Sequence, residues 1–87
     1  MAHELKTLPE YFKAVWAGVK TFEIRNNDRD FKLYDEITLM EYEPPKSFKA
    51  DDTGYSGRKI RGIINYITNY EQKNGYVVFS FKETSRE

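Results

Sequence analysis

The segment from Lys20 to Phe31 reads KTFEIRNNDRDF and concentrates the residue types that could do chemistry. Glu23 and Arg25 are two positions apart, so an extended strand puts both on one face. Lys20 follows closely on Gly18, where the chain is still bending, and can swing toward the same face. Arg offers a planar fork for phosphate or carboxylate. Glu accepts from a base amino group. Lys is a point charge or, desolvated, a base. Two activities follow from the trio. One is binding of RNA or a nucleotide-like small molecule. The other is hydrolysis, with Lys20 and Glu23 as the catalytic pair. The plain alternative is a solvated strand face with a Glu–Arg pair worth roughly 0–1 kcal/mol.

Further candidates surround this trio. Asn27 and Arg29 stand at the rim of any pocket there, although Asn26-Asn27-Asp28 also has the chemistry of a turn. His3 shares a side with Leu5, which puts it near the end of a core, at a barrel mouth. Tyr55 and Arg58 flank Ser56-Gly57, and an aromatic beside a cation can stack on a base and neutralise its phosphate. Ligand contacts are therefore expected from Lys20, Glu23, Arg25, Asn27, Arg29, His3, Tyr55 and Arg58. A third reading is a protein-interaction adaptor working through the loop at 44–57.

Composition limits the chemistry. The 87-residue chain has no Cys and one His. That removes disulfides, thiolate zinc sites and a cysteine nucleophile, and the trio calls for no cofactor and no metal. A Ser-His-Asp triad is not expected either. No apolar run is long enough to span a membrane, and the N-terminus has no signal-peptide core, so a cytoplasmic location is expected. Net charge is zero, but residues 1–33 carry +1, residues 34–56 carry −4 and residues 57–87 carry +3. An acidic middle set apart from basic ends would leave a local basic patch.

The elements that position these residues can be read from periodicity. His3–Lys6 alternates as a strand. Thr7 and Glu10 form a T-x-x-E capping box, and Pro9 sits in the first turn of a helix expected from Leu8 to Ala17. Leu8, Phe12, Val15 and Trp16 give it a core-facing stripe, and Gly18 stops it. Thr21–Arg25 is a strand with Phe22 and Ile24 expected in the core, and Phe31 and Leu33 resume apolar contact. Glu36–Glu43 is a strand with Ile37 and Leu39 on one face. Residues 44–57 read as a flexible loop. Lys59–Thr68 and Tyr76–Lys82 are strands; the last is apolar on both faces, as if buried between a barrel interior and a helix. Residues 83–87 read as a frayed tail. One domain over 1–87 results, of α+β class, with five or six strands in a closed or nearly closed barrel and one packed N-terminal helix.

Several runs also resemble a known family. HELK at 3–6, PEYF at 9–12, GVKTFEIR at 18–25, NDRDF at 27–31, YSGR at 55–58 and GYVV at 75–78 resemble the small bacterial and phage ASCH-like proteins of unknown function in the PUA-like superfamily. The family's G-x-K-x-x-E-x-R pattern matches Gly18, Lys20, Glu23 and Arg25. The resemblance implies a PUA-like barrel with a cleft between helix and barrel, lined by the matching Lys20, Glu23 and Arg25. It implies RNA binding, since ASCH domains are widely proposed to bind RNA. Some relatives are amidohydrolases acting on acylated nucleosides, and others have been reported to cut RNA. The amidohydrolase branch has Thr where this chain has Glu23, and relatives show Gly-Asp where this chain has Tyr34-Asp35.

Overall fold

The computed structural model describes residues 1–45 and 53–87. The elements run β1 (Ala2–Thr7), α1 (Pro9–Trp16), β2 (Phe22–Asn26), β3 (Glu36–Tyr42), β4 (Tyr55–Thr68) and β5 (Tyr76–Arg86). The five strands form one sheet in the order β1-β3-β4-β5-β2. β1 and β3 are parallel, and every other pairing is antiparallel. β1 and β2 therefore end the sheet. The sheet curls until they face each other across a seam, which Arg25 of β2 spans by donating to the Lys6 carbonyl of β1 at 3.2 Å. The fold is an α+β half-barrel, nearly closed, with five strands as the sequence suggested.

The curl has local causes. Bulges interrupt the pairing between Arg61 and Gly62 and between Ile64 and Tyr66, and bulges bend the strand that carries them. At Gly62 a Cβ would lie 2.7 Å from the Lys82 carbonyl oxygen, so only glycine fits there. Inside the curl, Leu5, Ile37, Leu39, Ile60, Ile64 and Phe79 are fully buried and stack with Phe12 of α1. Trp16, expected in the core, is half-buried and packs against it.

Several expectations change. The capping box does not form: Leu8 is the N-cap and makes no side-chain cap bond. Thr7 is instead the last inward residue of the His3-Leu5-Thr7 alternation, and strand geometry overrides the cap motif. The helix is Pro9–Trp16, one residue shorter at each end than expected.

The inner face of β2 is the charged one. Phe22 and Ile24 are 41% and 56% exposed, while Glu23 is 3% exposed. Alternation separates two faces without saying which is buried; register decides that. Here Glu23 sits opposite Phe79 and Arg25 opposite Val77, both core residues of β5. Phe31 is buried as expected, but Leu33 is exposed.

The C-terminal residues are not frayed. β5 runs on to Arg86, which pairs with Ile60, and the Glu87 amide donates to the Lys59 carbonyl at 2.9 Å. The polar sequence misleads because ladder hydrogen bonds belong to the backbone, and the long β4 supplies partners for them. The loop is also shorter at its C-terminal side, since β4 begins at Tyr55, paired with Tyr42. Its residues 46–52 lie outside the described residues. On β5, Val77, Phe79 and Phe81 face the core, while Tyr76 and Val78 are only half-buried on the outer face.

Candidate functional site: a charged seam between two sheet edges

Gly18 positions the first member of the site. It takes φ +80°, which ends α1, and the Val19 and Lys20 amides both fold back onto the Ala14 carbonyl at 3.0 and 3.1 Å. That wrap delivers Lys20 to the start of β2. Its Nζ donates to Glu23 Oε2 and, at 2.7 Å, to the Phe22 carbonyl. Arg25 Nε and Nη2 both donate to Glu23 Oε1, at 3.0 and 2.8 Å. Nη2 also reaches Thr7 Oγ1 at 3.2 Å. The three residues expected to converge do converge.

Glu23 is thus a buried carboxylate divided between two cations, one on each oxygen. Burying a carboxylate is costly unless it is paired and hydrogen-bonded, and both conditions are met. The cations remain about a fifth exposed, at 18% for Lys20 and 24% for Arg25, so they reach the surface that Glu23 does not. Beside them opens a cavity of about 400 Å³, lined also by Lys6, Thr7, Leu8, Tyr11, Phe22 and Ile24. Lys20 Nζ stands 5.1 Å from the Phe22 ring centre and 5.8 Å from that of Tyr11. The mouth therefore offers two cations and two aromatic rings, with helix on one side and strand on the other.

The polar row continues inward from the seam. Thr7 lies beside Glu41 in the β1–β3 register. Glu41, also buried, receives Arg58 Nε on Oε1 at 3.1 Å and Arg58 Nη2 on Oε2 at 3.0 Å. These bonds from Arg58, helped by Ser56 and Lys13 and opposed by burial, hold the Glu41 carboxyl below its ordinary value. The Arg58 guanidinium lies 4.8 Å over Trp16 and 5.4 Å from Phe12.

The remaining expected site residues lie elsewhere. Arg58 is engaged with Glu41, and with Tyr55 it lines a separate hollow of about 660 Å³ on the Pro9–Lys13 side of α1. Leu8 and Tyr11 face the seam instead. Tyr55 packs its ring 4.9 Å from Tyr42. Asn27 is turn chemistry: its Oδ1 accepts from the Phe31 amide at 2.8 Å, and it borders a third hollow with Gly75. Arg29 is exposed and lines none of these cavities.

His3 is buried toward the other end of β1, with Nε2 2.8 Å from Asp35 Oδ2 and its ring edge-on to Phe31 at 4.7 Å. The bond from His3 holds the Asp35 carboxyl below its ordinary value, against burial, and the Lys32 amide and the terminal amine add to it. Sequence reasoning missed Thr7, Tyr11, Asp35 and Glu41. A signal existed for three of them: Thr7 extends the His3-Leu5 alternation, and Asp35 and Glu41 extend that of Ile37 and Leu39.

Among the described residues no group of three or more His, Asp and Glu side chains is arranged to hold a metal, and no helix is long and apolar enough to cross a membrane. The molecule is a small α+β barrel-like domain whose two unpaired strand edges enclose a charged, aromatic-rimmed cleft. Residues 2–81 match DUF3850, a domain of unknown function, and the chain belongs to that family. No curated protein matches the chain.

Proposed function

We propose that the protein is an ASCH-like, PUA-like domain that binds RNA or a nucleotide-like small molecule in the seam. The observation that carries this reading is the buried Glu23 carboxylate holding Lys20 and Arg25 at the mouth of the cavity beside Tyr11 and Phe22. The cations suit a phosphate, and the rings suit a base or sugar face. The cavity falls within the usual range of small-molecule sites. The chain's lack of Cys supports a cytoplasmic setting for this activity.

Titration with nucleotides and short single-stranded RNAs, followed by fluorescence anisotropy at several salt concentrations, tests the proposal. Affinity should fall as salt rises, because released counterions oppose phosphate contacts. Arg25→Ala should weaken binding at least about tenfold, as expected when a charged hydrogen-bonding partner is lost. Binding that ignores salt, or that the variant retains in full, counts against it.

A second reading is hydrolysis of a modified nucleoside or of RNA. The direct Lys20–Glu23 contact favours it, since a proton can pass between groups so placed. Turnover of acylated cytidines that disappears in Lys20→Ala is the expected result; turnover that survives removes Lys20 from the chemistry.

A further inference from the structure

The reversed parity of β2 leaves Phe22 and Ile24 on two surfaces at once. They line the seam cavity, and they begin the outer face of the sheet formed by β2, β5 and β4. Across that face Phe22 pairs with Ser80, and Ser80 with Tyr66. Adjacent strands lie about 4.8 Å apart, so the two rings stand about 10 Å from each other with a hydroxyl between them. The bulge between Ile64 and Tyr66 turns Asn65 and Tyr66 outward together; both are exposed, and Ser80 Oγ donates to Asn65 Oδ1 at 2.6 Å. Along β5, Val78 sits beside Ile24, and Tyr76 beside Asn26.

Cations border the same surface. Lys20 Nζ lies 5.1 Å from the Phe22 ring and Lys73 Nζ 5.8 Å from the Tyr76 ring. Lys82 is exposed on the face two positions after Ser80. The outward positions of these three strand segments, 22–26, 76–82 and 63–68, hold no carboxylate.

We infer that a single-stranded RNA held at the seam continues over the outer face of β2, β5 and β4, with Phe22, Tyr66 and Tyr76 as its stacking surfaces. This rests on the RNA-binding reading of the seam. A protein partner is best served by a continuous apolar patch. This face is different: its rings are set apart by Ser80, Asn65 and the Ile24–Val78 pair, and it carries Lys at the edges. Bases stack on such rings whatever their sequence, and the lysines meet the backbone phosphates.

The test is a length series from uridine monophosphate to an oligouridylate of about eight nucleotides, within the span of known single-strand sites. Affinity of the unaltered protein should rise with length. Tyr66→Ala, at a residue 63% exposed, should weaken the longer RNAs roughly tenfold and leave the mononucleotide unchanged. Tyr76→Ala serves as a second variant on a different strand, and Arg25→Ala reports the seam by itself. A flat length series, or longer RNAs bound equally by both Tyr variants, overturns the inference; the seam reading then stands if Arg25→Ala still loses the mononucleotide. Long RNAs that need Tyr66 but not Arg25 keep the face and remove the seam, and no binding at all removes both. Self-association in sedimentation that Tyr66→Ala abolishes, with RNA affinity unmoved, assigns the face to a second copy of the chain and likewise overturns the inference.

Discussion

Glu23 and Glu41 are both buried carboxylates on the inside of the same curled sheet, each held by an Arg of that sheet, and their partners are arranged differently. Glu41 gives both oxygens to one guanidinium, side-on, and Phe12 and Trp16 lie against that guanidinium. Glu23 gives one oxygen to Arg25 and the other to Lys20, and a cavity opens beside the cations. A fork-to-fork pair under aromatic cover is geometrically fixed. A carboxylate with two cations can keep one while the other turns to a ligand. Denticity, more than residue type or burial, distinguishes the two pairs, since the Arg58 side chain is 40% exposed and that of Arg25 24%.

Stability measurements can break this comparison most directly. Arg58→Ala strips Glu41 of both its guanidinium bonds and should lower the midpoint of chemical denaturation more than Arg25→Ala does. Arg25→Ala leaves Lys20 on Glu23 and should cost about 2 kcal/mol, the scale of a hydrogen bond to a charged group, and should weaken the proposed nucleotide binding. Equal losses of stability would mean that the seam is a structural clasp too.

Acid sharpens the contrast. Glu41 and Asp35 are held below their ordinary values in the folded protein. The unfolded chain therefore takes up protons first as pH falls, and their contribution is present above the unfolded carboxyl range. It is lost as pH falls from about 4.5 through the folded values. Glu41→Gln should flatten the fall in stability over that window, measured by denaturant midpoints at successive pH values. A slope equal to that of the unaltered protein would show that Arg58 does not favour the ionised Glu41. The smallest effect concerns the outward side of β2: Ile24→Ser should shift stability by no more than about 0.5 kcal/mol, as exposed substitutions do. A large loss there would restore Ile24 to the core.

Much of this arrangement was legible in the residues. The two-residue spacing of Glu23 and Arg25, with Lys20 following the Gly18 stop, placed the trio together before any geometry was known. Strand number, strand order along the chain and the one helix were legible too, because apolar periodicity carries them. The burial of Glu23 was not, since FEIR reads as a strand with an apolar face and only pairing with β5 decides which face turns inward. Arg58 and Tyr55 matched the trio by residue type, but α1 lies between their hollow and the seam, and no local pattern reports that separation. His3 looked like a lone polar residue until Asp35, far along the chain, completed its pair.

The seam carries one more consequence. A sheet that stops short of closure exposes two rows of backbone groups, and such rows are templates on which another chain can add a strand. Here Lys20 occupies the Phe22 carbonyl and Arg25 the Lys6 carbonyl, so each edge is capped by a side chain that also belongs to the site. Removing those side chains uncovers sticky edges. The seam cations thus each cover one backbone carbonyl on an edge that another strand could otherwise use.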